Sequence, residues 1–545
     1  MTKTGWLFWS MLVLLVAGLA VLAVVRRETA SSPGHVLQVP PGDQEIAWFH
    51  TTTNSATWER FVTGVHYAAR LEPRLYVDDS RAFLDQTTAV PEVVFSWQGS
   101  SHRLHIRWYK QSSQMKVDDW VRALAERDPP PLAILGGGSS DRALELAQAL
   151  AERSQWRGSR PLMLLTTATA NTVYIENQPV PQDLMRVYSD RSFRFCFTNR
   201  QMAFATLDFI WRTPYLRPHG NSLPSLAAVP QGANGDVYGI LGWLAAQTDF
   251  PPEVFALEWK DDPYSVDLSE QFRGVFYDRP DDPQAPLPLW QRTSREQSIP
   301  PLSLPIRSSV GGFIRPNEGE ANAIDLLLSD PPQFPLPRSL PRQPMQRSLL
   351  ILPAVVQPAR RVLSGLTGSV PFLGRHLVAV SGDSISFNNI YRDADLFWNI
   401  RLVPVPLVFF THQNPVAWDA ESQSAPAKPE RFALYPPNGT DDVLHFADTV
   451  QILADAIFKA AANAGPLAAN ADELRDRLRQ RSPPFFDKEG NRLGGRGEYV
   501  VYLHPDLLPG HPVGSRILPS AKLEVWSHRE DGGWNMVKQL SVHYR

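Results

Sequence analysis

Residues 132–141, Leu-Ala-Ile-Leu-Gly-Gly-Gly-Ser-Ser-Asp, place the strongest constraint on how this chain can fold. A short apolar run ends in three glycines and two serines. An amphipathic pattern follows, with Leu144, Ala147 and Leu150 on one face and Arg142, Glu145 and Gln148 on the other. That order reads as a buried strand, a tight loop and a helix. The loop then lies at the carboxyl end of its strand, where open α/β sheets bind ligands. Glycine lets backbone approach a ligand closely, and the N–H groups that open a helix attract anions such as carboxylates. A second copy follows at once, Pro161-Leu-Met-Leu-Leu-Thr-Thr-Ala-Thr-Ala170, a strand ending in hydroxyls. Two adjacent strand ends of this kind make either half of a small-molecule site or two ordinary βα turns, and the pattern leaves both open.

The alternation runs the length of the chain. A strand at Glu45–Thr51 precedes a helix from about Ala56, with Trp58, Phe61 and Val65 on one face. Strands at Val93–Trp97 and Leu104–Tyr109 and a helix at Asp118–Ala125 lead into the glycine–serine loop. Beyond it come a helix at Gln201–Trp211, a strand at Val254–Trp259, a turn at Asp261–Asp267 and a helix at Leu268–Phe276. Further pairs follow: Ser309–Ile314 with Glu318–Leu328, and Ser348–Leu352 with Gln357–Leu366. Leu377–Val380 and Leu402–Phe410 read as strands, Asp441–Asn463 as a long helix, and 472–480 as a shorter one. The chain closes on three strands, Tyr499–Leu503, Lys522–Trp526 and Trp534–Val542. Alternating units predict α/β architecture with parallel sheets, and there are too many units for one sheet, so two lobes are expected. The 49 prolines concentrate between the units. Residues 212–235 read as a loop insertion, 279–306 as a proline-dense stretch without regular structure, and 330–346 as another.

Composition narrows the function. A formal net charge of −3, with no basic run, argues against nucleic acid as a partner. The single cysteine, Cys196, excludes an intrachain disulfide and any cysteine-based metal cluster. Asp261–Asp262 lacks the further spaced oxygen ligands of a calcium loop, so no metal is assigned. Gly136–Gly138 is not followed by Gly-Lys-Ser/Thr, and no nucleotide-binding, zinc-protease or serine-nucleophile signature is present; no cofactor and no catalytic constellation is expected. At the amino end, Trp6 to Val25 is an uncharged apolar run of 20 residues, about the length that crosses a bilayer as a helix. Trp6 and Trp9 suit one interface, and Arg26 and Arg27 the other. Arginines directly after the core fit a cleaved signal peptide poorly, so residues 6–25 are expected to be an uncleaved membrane anchor. Residues 28–43 read as a short tether. Lys3 and the amino terminus compete with Arg26–Arg27, and charge counting does not fix the orientation.

The ordered pieces carry a resemblance. They are Thr57-Trp-Glu-Arg-Phe-Val-Thr-Gly64, Gly136–Ser140, Leu165–Asn171, Phe193–Phe197 and Asp261-Asp-Pro-Tyr-Ser265, then Phe313–Leu328, Leu349–Leu366, Ser381–Ser384, Phe446–Ala456 and Phe485–Asn491. In this order, over roughly 44–545, the chain resembles the type I periplasmic binding proteins of the leucine/isoleucine/valine-binding branch, solute receptors of ABC importers. The resemblance implies a two-lobe clamshell with hinge crossings near Thr198–Arg200, Thr411–Asn414 and Phe486–Glu489. Lobe one would be 44–198 plus 412–486, and lobe two 199–411 plus 487–545, with insertions near 212–235 and 279–346. It implies that Ser139 and Ser140 hold a ligand carboxylate and that Ala168 and Thr169 form a second hydroxyl loop. Trp58 would line the ligand, Tyr264 would be the aromatic of the other lobe, and Asp383 the acid that pairs with an amino group. The implied protein is a membrane-anchored, extracytoplasmic solute binder without enzymatic activity. It would capture an amino acid, amide or similar small molecule and work with an ABC permease; a sensor or scaffold on the same fold is the alternative. Three features depart from the family: Pro353-Ala-Val-Val356 replaces a cleft tyrosine, the first-lobe disulfide is missing, and the proline-rich insertions have no counterpart.

Overall fold

Strand β1 (Gln44–Thr51) is buried from Glu45 to His50 because both of its faces are covered. Successive side chains alternate: Ile46 and Trp48 enter one apolar core, Ala47 and Phe49 the other. The computed structural model describes residues 36–53, 55–84, 89–174, 181–218, 254–277, 290, 302–311, 315–328, 348–367, 377–385, 405–415, 441–458, 467–494, 497–506 and 520–543. Around β1 lie β2 (Leu75–Asp78), β3 (Glu92–Trp97), β4 (Arg103–Gln111), β5 (Ala133–Gly136), β6 (Leu162–Leu165) and β9 (Ser192–Arg194). Their sheet order is β2-β3-β4-β1-β5-β6-β9, and a short ribbon, β7 (Thr172–Val173) with β8 (Gln182–Asp183), stands beside it. Helix α1 (Ser55–Leu71) covers one face; α2 (Val117–Ala125) and α3 (Ser140–Glu152) cover the other, and α4 (Leu184–Val187) is a single turn.

The second sheet has eight strands in the order β11-β10-β12-β13-β14-β15-β16-β17. These are β10 (Val254–Trp259), β11 (Leu302–Ile306), β12 (Ser348–Ile351), β13 (Leu377–Ser381), β14 (Leu407–Thr411), β15 (Tyr499–Asp506), β16 (Ser520–His528) and β17 (Trp534–His543). Helices α5 (Asn199–Arg212) and α6 (Pro263–Tyr277) pack on one face, and α7 (Glu318–Leu328) and α8 (Val356–Thr367) on the other.

Three passages join the lobes. After β9 the chain runs through Phe195–Thr198 into α5, whose N-terminus Thr198 caps by accepting from Gln201 N–H at 3.2 Å. After β14 it returns, and α9 (Asp441–Phe458) lies against α1 in the first lobe. The Phe61 and Phe446 rings meet edge to face there, 5.5 Å apart. Gly64 permits this close crossing, since a Cβ would stand 2.7 Å from Val443 O. Helix α10 (Ala471–Arg479) follows, and the turn at Asp487–Asn491 hands the chain back, with Arg194 N–H donating to Gly490 O at 2.8 Å.

Several expectations need correcting. The sheets are mixed, not parallel: β2, β3 and β4 pair antiparallel, as do β14 to β17. Short connections account for β3–β4 and β16–β17, whereas β15 comes to β14 antiparallel only after the chain has passed through the first lobe. The proline-dense stretch 279–306 contains β11, with Pro305 in register with Glu258. Proline is tolerated because β11 is an edge strand. Ser309 and Val310, expected in a strand, follow it instead. The turn expected at Asp261–Asp267 is the start of α6: Pro263 takes the first position, and the Asp262 carboxylate accepts from Tyr264 N–H at 3.1 Å. No helix among the described residues is long and apolar enough to cross a membrane. The expected anchor at 6–25 and the body of both insertions lie outside the described residues.

Candidate functional site

The first-lobe half of the site is built by the loops after β5 and β6. Ser139 is the N-cap residue of the 13-residue helix α3 by backbone geometry, yet its hydroxyl makes no capping bond. It is half-buried at the positive end of the helix, beside the exposed Gly138. The His50 ring lies against this loop; a Cβ at Gly138 would come within 2.8 Å of His50 Nε2. His50 Nδ1 accepts from Thr51 N–H at 2.9 Å, so Nε2 carries the proton and offers it towards the loop. Burial, then the Arg142 and Arg60 charges, lower the His50 pKa to about 4, keeping the ring neutral. Ser140 is turned inward, and its Oγ accepts from Ala170 N–H at 3.3 Å. Thr167 Oγ1 donates to Gly137 O at 3.1 Å, a second tie between the two loops. Ala168 and Thr169 are buried in the second loop, where Thr169 O accepts from Asn199 N–H at 2.9 Å.

The second-lobe half centres on Asp383, just past β13. Tyr264 donates its hydroxyl proton to Asp383 Oδ1 at 3.0 Å, and His412 Nε2 donates to Asp383 Oδ2 at 2.8 Å. His412 sits at the β14 passage, and its Nδ1 accepts from Phe197 N–H at 3.2 Å, which fixes the tautomer. Its ring stacks on Phe197 at 5.8 Å and faces His445 of α9 at 5.3 Å. Burial and then the Asp383 charge hold the Tyr264 hydroxyl far above its ordinary pKa. Behind the junction, the buried Arg492 guanidinium lies 4.1 Å from the Phe197 ring centre.

A clasp joins the halves. Asp267 of α6 accepts from Asn171 N–H (3.0 Å), Thr172 N–H (2.9 Å) and Asn199 Nδ2 (2.8 Å). Tyr174 donates to the Glu270 carboxylate on the same face. Burial raises the Asp262 pKa to about 6 against the Tyr264 and Ser265 N–H bonds, and the charges of Asp261 and of first-lobe Asp141 push the same way.

Ser140 is thus tied to the 166–170 loop that carries Thr169, and Tyr264 to Asp383 in the other half. Trp58 joins neither. It is 1% exposed, stacks with Phe61 and Trp108, tilts against Trp48, and gives its indole N–H to Ala82 O at 2.7 Å. The aromatic expected to line a ligand is a core residue of the first lobe, because the apolar stripe of α1 faces the sheet. Sequence reasoning missed His50, Asp267, His412 and His445, which carry no motif and converge only through the fold. Burial pushes the Cys196 thiol up to about 12, far from a nucleophilic thiolate. Among the described residues no three His, Cys, Asp or Glu side chains gather as a metal site requires.

No family model matches the sequence, and no curated protein matches it. Solved structures do. The chain is similar to the leucine binding protein LivK of Thermotoga maritima, at 13% identity over 91% of this chain and 98% of that one, with a TM-score of 0.45. It is similar to the leucine-, isoleucine-, valine-, threonine- and alanine-binding protein of Brucella ovis in a closed conformation, at 10% identity over 92% and 95%, with a TM-score of 0.47. A third is an ABC transporter solute binding protein of R. palustris in complex with 4-hydroxybenzoate, at 9% identity over 91% and 97%, with a TM-score of 0.44. Each of these three structures is matched over nearly its whole length.

Proposed function

We propose that this chain is an extracytoplasmic solute-binding protein that closes its two lobes over a small polar molecule bearing a carboxylate. One observation carries the reading: the Ser139 hydroxyl makes no capping bond at the N-terminus of α3, in the loop against which the His50 ring with its Nε2–H lies. The other lobe contributes Tyr264 and Asp383. Helix N–H groups, a hydroxyl and an imidazole N–H together make a donor set for an anion. Ala168 and Thr169 form its floor, and Ser140 holds the two loops in register. Asp383 keeps acceptor capacity beyond the bonds from Tyr264 and His412, enough for an amino or amide group. Ligand touching both lobes at once favours the closed state, which supplies capture without chemistry. In this reading residues 6–25 hold the domain at the membrane, and the solute passes to an ABC permease.

Calorimetric titration of the full chain with amino acids, amides and small carboxylates tests it. Ser139→Ala is expected to remove one charge-assisted bond, about 1.5–3 kcal/mol or roughly ten- to a hundredfold in affinity, without changing the melting temperature. Undiminished affinity in that variant would count against the assignment. A ligand-sensing or scaffold protein on the same fold is the second reading, and the Asp267 clasp favours it, since the protein's own carboxylate links the lobes directly.

A further inference from the structure

Among the described residues, buried acceptors at the lobe junction lack a donor. His445 Nε2 lies 2.7 Å from Thr166 O, so Nε2 carries the proton and Nδ1 keeps a lone pair. His445 is 3% exposed, and its Nδ1 meets no hydrogen-bond partner. His412, with its ring centre 5.3 Å away, has nothing to give: Nδ1 accepts from Phe197 N–H and the Nε2 proton is directed at Asp383. At the other end of the 166–170 loop, Asn199 donates through Nδ2 to Asp267, which leaves its buried Oδ1 without a donor. Burial, then the His412 and Arg492 charges, depress the His445 pKa well below its ordinary value, so protonating Nδ1 does not relieve the deficit. Buried acceptors left unpaired are rare because they forgo the hydrogen bond that water would supply.

We propose that His445 is a further ligand-binding residue, its Nδ1 accepting a hydrogen bond from a hydroxyl or ammonium group of the solute. The site would then select carboxylates that carry such a donor over those that do not. This assignment rests on the solute-binding reading and deepens it, because the donor set at Ser139 and His50 and the acceptor at His445 would grip opposite ends of one molecule. A site built to hydrogen-bond a group discriminates strongly against the analogue that lacks it.

Matched pairs test it by calorimetry on the full chain: L-leucine against 4-methylpentanoate for the ammonium, and 4-hydroxybenzoate against benzoate for the hydroxyl. The expected result is that, in at least one pair, the donor-bearing member binds wild type at least about tenfold tighter. His445→Phe should cut that preference to roughly threefold or less and leave the donor-free member's affinity unchanged. His445→Gln, whose amide can still donate to Thr166 O and offers an oxygen, is expected to restore part of the preference, and it carries the test if the phenylalanine variant does not fold. Equal binding of both members by wild type, or equal weakening of both by the variants, overturns the assignment while solute binding stands. If no member of either pair binds wild type, solute binding of these classes fails and the assignment fails with it.

Discussion

Replacing Glu45 with alanine is expected to destabilise the first lobe by about 3–5 kcal/mol, the usual effect of removing one partner from a buried ion pair. Glu45 is 1% exposed and accepts from Arg107 at 2.6 Å, Arg127 at 2.9 Å and the Tyr109 hydroxyl at 3.1 Å. Arg107 would keep Glu92, at 2.8 Å. Among the described residues Glu45 is the one carboxylate that pairs with Arg127, and both guanidiniums also hold Leu37 O, where the chain enters the lobe. A loss of that size lowers the melting temperature by roughly 10 °C for a lobe of this size. Urea denaturation followed by tryptophan fluorescence measures it. A loss under about 1 kcal/mol would show that the pair contributes little net energy. Glu45→Ala with Arg127→Met is expected to recover part of the loss, because no unpaired charge then stays buried.

Asp267→Ala is expected to shift the lobes towards an open arrangement. The half-buried Asn171 and Thr172 N–H groups lose their acceptor in the other lobe, and Asn199 Nδ2 loses its buried partner. At about 1–3 kcal/mol per unpaired donor, the closed-to-open ratio falls by roughly a hundredfold or more. Electron–electron distances between nitroxides on Glu145→Cys in α3 and Gln539→Cys in β17 report the change. Both positions are exposed, and the buried native Cys196, its pKa pushed up to about 12, will not compete for the label. A single short distance is expected in the parent and a longer, broader one in the variant. An unchanged distribution would mean that Asp267 is not what joins the lobes.

Much of the architecture was legible because apolar runs and amphipathic faces are local. The strand–loop–helix unit at 132–150 folds as its residues indicate, with Leu144, Ala147 and Leu150 buried and Arg142 and Glu145 exposed. Propensity misled where context decides. Pro305 argues against a strand in isolation, yet an edge strand has room for it; Pro263 suggests a turn, yet it opens α6. The apolar stripe of α1 was visible, but not that Trp58 belongs to it without touching the cleft. The mixed sheets were missed because strand direction depends on which segments pair and from which end the chain enters the sheet, which periodicity does not record.

The candidate site was legible only in part, for a related reason. Glycine and serine at the β5 loop announce themselves by spacing, and Gly382-Asp383-Ser384 by its turn chemistry. His412 and His445 lie far from Asp383 in sequence and carry no motif. Only the passages between lobes bring them together, and a lone histidine among apolar neighbours signals nothing by itself. Asp267 reads as one more helix residue until its carboxylate is seen to accept the backbone of the other lobe.

The most direct measurement of the central claim is a thermal-shift screen of the full chain against amino acids, amides, short peptides and small carboxylates. A solute at a hundred times its dissociation constant adds about 2.7 kcal/mol to the folded state, a visible rise in melting temperature. The account predicts such a rise for at least one carboxylate and its loss in Ser139→Ala. A flat response across the panel, or a rise that survives Ser139→Ala unchanged, would contradict a solute site at this cleft.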